Sequence, residues 1–163
     1  LRFDLDGKLA LAGKINEIIL EQAQDLYSNR TNKQKISFDT NDFDISFARG
    51  LSLEDGATTL TKFTADIIKG SLFSLFFNKD KTFRDIIVCG GGRKNKILLK
   101  GIKDNFPTDA KLSLIDDYGI NGDFVESQAF AFLAIRSIKN LPISFPNTTG
   151  CKKPCTGGEL IGN

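Results

Sequence analysis

Histidine, methionine and tryptophan are absent from all 163 residues, and tyrosine occurs only twice. Without histidine, His-dependent catalytic triads and most zinc sites are excluded. Without methionine the chain does not open at an initiator. It starts on Leu1-Arg2-Phe3-Asp4, and we read it as a piece of a longer protein rather than as a processed chain. The three cysteines are few and odd in number, which points to a reducing compartment, with the cytoplasm as default. A dominant charge sign is missing too. The formal charge is +2 with lysines spread along the chain, which argues against a nucleic-acid partner. The longest apolar run, Ile67 to Phe77, is broken by Lys69, Gly70, Ser71 and Ser74, so it is too short and polar to span a bilayer. No basic start followed by an apolar stretch marks a secretory signal.

What is present suits a globular α/β protein. Hydrophobic residues make up 40% and charged residues 26%, near globular averages. A domain of this size removes roughly 70% of its unfolded surface from water, so no disulfide or metal staple is required. Fourteen phenylalanines supply nearly all of the aromatic core.

Asp6-Gly7 marks a turn over Phe3 to Gly7. From Gly13, the positions Ile15, Ile18, Ile19, Leu20, Ala23 and Leu26 keep a helical period to about Tyr27. A polar stretch, Ser28 to Gln34, precedes an ordered loop from Lys35 to Phe47. Ser52 predicts the next helix as a cap, with Asp55 completing a box-like arrangement, and the helix runs to about Phe73. Arg84 to Cys89 is a β-branched run that suits a strand buried on both faces. A helix from Lys94 to Phe106 follows, with Ile97, Leu98, Ile102 and Phe106 inward and Pro107 as its stop. Lys111 to Ile115 reads as a second strand. The last helix, Asp123 to Lys139, is apolar nearly all round and therefore expected inside the protein. The order of these last four elements is βαβα.

The chief chemical feature is Ile86-Ile87-Val88-Cys89-Gly90-Gly91-Gly92-Arg93-Lys94-Asn95. Three glycines at the carboxyl end of a strand allow unusual backbone angles and close approach of a ligand. The following helix start suits phosphate or ribose oxygens. It is not a Walker loop, because no Gly-Lys-Ser/Thr follows. Asn95 stands where the dinucleotide fingerprint needs its last glycine, which disfavours an NAD-dependent oxidoreductase. A tight turn without a ligand is the bland alternative.

The stretch Asn121-Gly122-Asp123-Phe124-Val125-Glu126-Ser127-Gln128-Ala129-Phe130-Ala131-Phe132-Leu133-Ala134 changes the weighing. It is followed by Arg136, Leu141-Pro142, Phe145-Pro146-Asn147-Thr148-Thr149-Gly150 and Thr156-Gly157-Gly158-Glu159-Leu160. This string resembles the C-terminal signature of the anhydro-N-acetylmuramic acid kinases. Upstream pieces stand in the same order: Phe3-Asp4, Gly13-Lys14, Asn41-Asp42-Phe43, Gly50-Leu51-Ser52, Thr59-Leu60-Thr61 and Cys89-Gly90-Gly91-Gly92 with Asn95.

The resemblance implies an actin/hexokinase-like fold of ribonuclease-H-like domains, with residues 1–163 as the C-terminal nucleotide-binding domain, incomplete at its start, and the N-terminal domain absent. It implies transfer of the ATP γ-phosphate to 1,6-anhydro-N-acetylmuramic acid with opening of the anhydro bridge, a step of cell-wall recycling, and ATP with Mg²⁺ as cofactors. Gly90, Gly91, Gly92 and Asn95 would touch nucleotide, and Glu126 would bind the sugar. The family's aspartate base, in a Gly-Phe-Asp-Thr-Gly-like element, would precede Phe3. Asp4 and Asp6 lack its glycines. Catalysis would then need the missing half, and the alternative is a non-catalytic remnant that keeps the fold. No membrane partner is expected, and a homodimer stays open.

Weaker signals have plainer readings. Cys89, Cys151 and Cys155 are expected as free thiols, since zinc wants four ligands. Arg93, Lys94, Lys96, Lys100 and Lys103 read mostly as a solvated face, with Arg93 or Lys94 the best candidates near a nucleotide. Asp116-Asp117 could hold Mg²⁺, although such loop pairs more often face solvent. Asp123 is equally a helix cap or a ligand.

Overall fold

Asp4 starts the fold by capping the first helix, α1 (Lys8–Ala12). Its carboxylate accepts the Leu9 N–H at 2.9 Å and the Ala10 N–H at 3.0 Å, satisfying donors that a helix start leaves free. The bend between them passes through Asp6 (φ 58°) and Gly7 (φ 74°), left-handed angles that Asp and Gly tolerate best. The computed structural model describes residues 3–31, 40–77, 85–104 and 110–162. The chain divides into two compact units, Leu1–Leu114 and Ile115–Asn163.

In the first unit, the segment after α1 is tied to the start of a long helix. A Cβ on Gly13 would collide with the Glu54 carbonyl, so only glycine fits this approach. Beside it the Lys14 N–H donates to Asp55 Oδ1 at 2.7 Å, and the Asn16 N–H donates to Thr59 Oγ1 at 3.0 Å. Thr58 Oγ1 donates back to the Ala10 carbonyl at 2.8 Å. Asn16 then caps α2 (Glu17–Thr31) by accepting the Ile19 N–H at 3.1 Å. The long helix is α3 (Leu53–Phe77), and Ser52 Oγ caps it by accepting the Asp55 N–H at 3.1 Å. The Asp55 carboxylate reaches Lys14 as well, which ties the helix start to a distant segment.

The core of this unit is Leu20 and Ala23 of α2 against Phe63 of α3, flanked by Ile15, Tyr27, Phe43, Phe47 and Ile67. Phe43 stacks on Tyr27 with ring centroids 5.7 Å apart, and Phe47 meets Phe63 edge-on at 5.1 Å. Burying a side chain such as Phe63 contributes about 1.5–3 kcal/mol. Around Phe43 and Phe47 the expected loop forms two short 3-10 turns, Thr40–Asp42 and Ser46–Ala48. Its residues 35–39 lie outside the described residues, as do residues 32–34 of the polar stretch.

The small sheet has two parallel strands, β1 (Asp85–Val88) and β2 (Lys111–Leu114), in register from Asp85↔Lys111 to Val88↔Leu114. Between them runs α4 (Lys96–Lys103). Gly101 of α4 packs closely on α3, since a Cβ there would lie 2.9 Å from Ala65 Cβ. Both strands stand where the sequence predicts them, but β1 is not buried on both faces. Asp85 and Ile87 are exposed while Ile86 and Val88 are half-buried, an alternation in which only one face of the strand is partly covered. The helix predicted from Lys94 begins at Lys96, because Gly91–Lys94 form a 3-10 turn and Asn95 stays extended. Phe106 and Pro107 lie outside the described residues.

The second unit carries α5 (Val125–Ile138) and the short α6 (Pro146–Thr149). Arg136 Nε donates to the Pro142 carbonyl at 2.6 Å, and its guanidinium lies over the Phe132 ring. Ser137 Oγ donates to the Gly157 carbonyl, and an antiparallel bridge joins Ser144 to Cys155. The expectation that this helix lies inside is corrected: none of its residues is buried, and Phe130 is 64% exposed. Its apolar circumference meets too few partners in a unit this small. No helix among the described residues is long and apolar enough to cross a membrane.

Candidate functional site

β1 ends at Val88, and the chain turns at Gly90 with φ 77° and ψ 179°, a conformation suited to glycine. Among the described residues, and apart from the adjoining ones in the chain, no atom lies within 4 Å of where a Cβ would stand on Gly90 or Gly91. Their outer face is therefore open to anything that approaches the backbone. Gly92 is exposed too, but its would-be Cβ stands 3.6 Å from Leu98 Cδ2.

Two residues fix this turn. The Arg93 N–H donates to the Gly90 carbonyl at 3.3 Å, and Arg93 Nη1 donates to the same oxygen at 2.9 Å. Arg93 is only 6% exposed, so it is turned into the fold, unlike the exposed Lys94, Lys96, Lys100 and Lys103. Asn95 closes the other end: its N–H donates to the Gly92 carbonyl at 3.0 Å. Asn95 Oδ1 accepts the Ile97 and Leu98 N–H groups at 3.1 and 3.0 Å and so caps α4. Those two donors are thus engaged within the chain, and the glycine backbone beside them stays open.

The sequence-predicted residues Gly90, Gly91, Gly92 and Asn95 form one continuous turn. Glu126 lies in the second unit, exposed in the first turn of α5, where a carboxylate is favoured by the helix dipole. The preceding Phe124 supplies no side-chain cap. Asp123 lies outside the helix, with its N–H on Asn121 Oδ1 at 3.0 Å. Asp116 Oδ1 accepts the Gly122 N–H at 3.4 Å. Among the described residues, no group of three or more His, Cys, Asp or Glu side chains is placed to hold a metal ion. Cys89, Cys151 and Cys155 are free thiols, and burial followed by the neighbouring Cys151 pushes the Cys155 thiol up.

Two clefts of the first unit are lined by other residues. One of about 540 Å³ runs between α2 and α3, lined by Gln24, Tyr27 and Asp66 among others. Asp66 there accepts Gln24 Nε2 at 2.8 Å and pairs with Lys62 and Lys69, a structural link between the helices. Another of about 360 Å³ lies among α1, α3 and α4. Neither contains a residue of the glycine turn. Sequence reasoning named Arg93 as a candidate near a nucleotide and Asp55 as part of a capping box, but it did not find the bond from Arg93 to the Gly90 carbonyl or the tie from Asp55 to Lys14.

Comparison with known proteins adds a family. A family model described as anhydro-N-acetylmuramic acid kinase matches residues 1–162. The chain is similar to the anhydro-N-acetylmuramic acid kinase of Pelagibacter ubique (strain HTCC1062), at 50% identity over 163 residues, covering 100% of this chain and 44% of that protein. The proteins of the same name from Caulobacter vibrioides and Zymomonas mobilis subsp. mobilis are 41% and 39% identical over 99% and 98% of this chain, and over 42% of each relative. The chain therefore spans less than half the length of these relatives.

Proposed function

The chain belongs to the anhydro-N-acetylmuramic acid kinase family, and from that premise we propose that it is the C-terminal portion of such a kinase, carrying the nucleotide side of its cleft. The complete enzyme would transfer the γ-phosphoryl group of ATP to 1,6-anhydro-N-acetylmuramic acid. Water would open the anhydro bridge to give N-acetylmuramic acid 6-phosphate, a step of peptidoglycan recycling. The fold would be one part of an actin/hexokinase-like pair of ribonuclease-H-like domains, with β1, α4 and β2 belonging to its nucleotide-binding half. Free thiols at Cys89, Cys151 and Cys155 fit a cytoplasmic setting.

The observation that carries this reading is the open backbone of Gly90 and Gly91 at the carboxyl end of β1, where ligands of α/β sheets bind. A glycine surface without side chains lets the flat adenosine portion lie against the backbone. Phosphate would be held elsewhere, since Asn95 already occupies the Ile97 and Leu98 N–H groups in the first turn of α4. ATP thus fits the turn through its nucleoside end, while the accompanying Mg²⁺ would depend on phosphate oxygens and on residues outside this chain. Glu126 would accept hydrogen bonds from sugar hydroxyls.

Phosphoryl transfer needs nucleotide, metal and acceptor held together, and Asp4 and Asp6 lack the glycines that surround the family's aspartate base. The 163-residue chain alone should therefore bind ATP weakly and show no turnover. The exposed apolar α5 agrees, because such a helix belongs under covering structure. Mixing this chain with a separately expressed N-terminal portion of the Pelagibacter relative should restore sugar-dependent ATP consumption. Turnover by the pure chain would overturn the incomplete-part reading, and failure of this chain to bind ATP would remove the nucleotide assignment.

A further inference from the structure

We propose that Arg93 is a positioning residue for nucleotide binding: its inward-turned guanidinium clamps the Gly90 carbonyl and so holds the open face of the glycine turn ready for its ligand. The inference rests on the nucleotide reading above and adds to it a residue that touches no ligand. Three successive glycines have the widest conformational freedom a chain can have, and each must lose it when a ligand settles on them. The structure supplies a restraint at each end of the run. Asn95 N–H holds the Gly92 carbonyl at 3.0 Å. At the other end both the main-chain N–H and Nη1 of Arg93 converge on the Gly90 oxygen, at 3.3 and 2.9 Å.

A main-chain bond alone would make an ordinary turn. The second donor comes from a side chain only 6% exposed, although a guanidinium is strongly solvated and costs free energy to bury. Four lysines around it remain in solvent, so burial is not a general property of this basic stretch. An arginine aimed at phosphate would keep its head toward the open face of the turn. This one is withdrawn from solvent and bonded to the Gly90 carbonyl. Lysine cannot replace it faithfully, because a point-charge ammonium lacks the rigid planar fork that sets direction.

A positioning role and a phosphate contact make different predictions. If Arg93 only shapes the turn, Arg93→Gln should weaken adenosine and ATP by the same factor, about tenfold, as expected when a segment must be ordered on binding. Arg93→Lys should recover part of the loss for both ligands, and neither ratio should change with salt, since screening acts on exposed charge pairs. Amide exchange of residues 91–94 in Arg93→Lys should speed up in the absence of ligand.

The experiment titrates the 163-residue chain and both variants with adenosine and with ATP, alongside amide exchange. Equal weakening of both ligands with faster exchange supports the clamp. Loss of ATP affinity alone overturns it in favour of a phosphate contact. Unchanged affinities with unchanged exchange overturn it as well. If Arg93→Gln fails to fold, the Arg93→Lys titrations and exchange rates decide by the same criteria. If the unsubstituted chain binds neither ligand, the nucleotide reading falls and this inference falls with it. That outcome is distinct from binding by the parent that Arg93 variants leave intact.

Discussion

Gly7 lies directly under the side-chain carbonyl of Asn95, so that a Cβ added to Gly7 would overlap Asn95 Oδ1. The N-terminal bend and the cap of α4 are therefore one packed unit, joining residues 88 positions apart. Gly7→Ala should destabilise twice over. The left-handed φ of 74° costs an L-residue about 1–2 kcal/mol, and displacement of Asn95 weakens the cap. Urea denaturation should show a lower midpoint with an unchanged slope.

Asn95 itself is expected to act first on stability. Its Oδ1 holds two N–H groups of α4, and Asn→Ala at such a cap costs about 1 kcal/mol. Asn95→Asp keeps the acceptor and should retain most of that. If Asn95→Ala instead lowers nucleotide affinity with stability unchanged, the residue is a ligand contact and not chiefly a cap.

Local patterns made much of this legible. Ser52 as a cap, the β-branched run ending at Val88 and the strand from Lys111 all follow from propensity and spacing alone. The start of α4 did not, because Gly91-Gly92-Arg93-Lys94 satisfies a tight 3-10 turn as readily as a helix. Nor did Arg93 and Asp55, whose roles depend on direction and on distant chain. The pattern marks Arg93 or Lys94 as near a nucleotide but cannot say that Arg93 turns onto the Gly90 carbonyl, and Asp55, beyond its place in the capping box, finds its partner at Lys14, 41 residues away. The burial expected for α5 follows from its composition, but the second unit by itself is too small to provide the cover.

Asp55 should make stability fall in acid. The Lys14 N–H, then Ser52, hold its carboxyl below the ordinary value of 3.8, with partial burial opposing and the Lys14 charge assisting. The unfolded chain therefore takes up the proton first as pH falls. Stabilisation from this group is complete above about pH 3.8 and is lost as pH drops through the folded-state pKa. Asp55→Asn should flatten that acid limb, so the gap between parent and variant urea midpoints closes at low pH. A gap that stays constant into strong acid would show that ionisation of Asp55 is not what couples these segments.

Glu126 tests the sugar assignment separately. It is exposed in the first turn of α5, where loss of its charge should cost only about 0.3–1 kcal/mol. In the reconstituted kinase, Glu126→Gln should raise KM for the anhydro sugar and leave ATP affinity unchanged. Equal KM values for parent and variant would leave Glu126 as a helix-dipole charge.

The apolar surface of α5 gives the sharpest test of incompleteness. Phe130, Phe132, Ile135 and Ile138 are 64, 59, 54 and 65% exposed, values unusual for four large apolar residues on one helix. A surface substitution away from any buried contact changes stability by about 0.5 kcal/mol or less. Phe130→Glu should thus leave the urea midpoint of this chain nearly unmoved and reduce its self-association in light scattering. If the rest of the kinase covers this surface, the same substitution buries an unpaired carboxylate in the reconstituted protein, and a lost burial of 1.5–3 kcal/mol for the ring adds to that, roughly tenfold or more in affinity. Activity of the mixture should then require far more of the complementary portion. Were Phe130→Glu to reconstitute as readily as the parent, this face of α5 would stay in solvent in the complete enzyme, and its exposure would no longer argue that covering chain is missing.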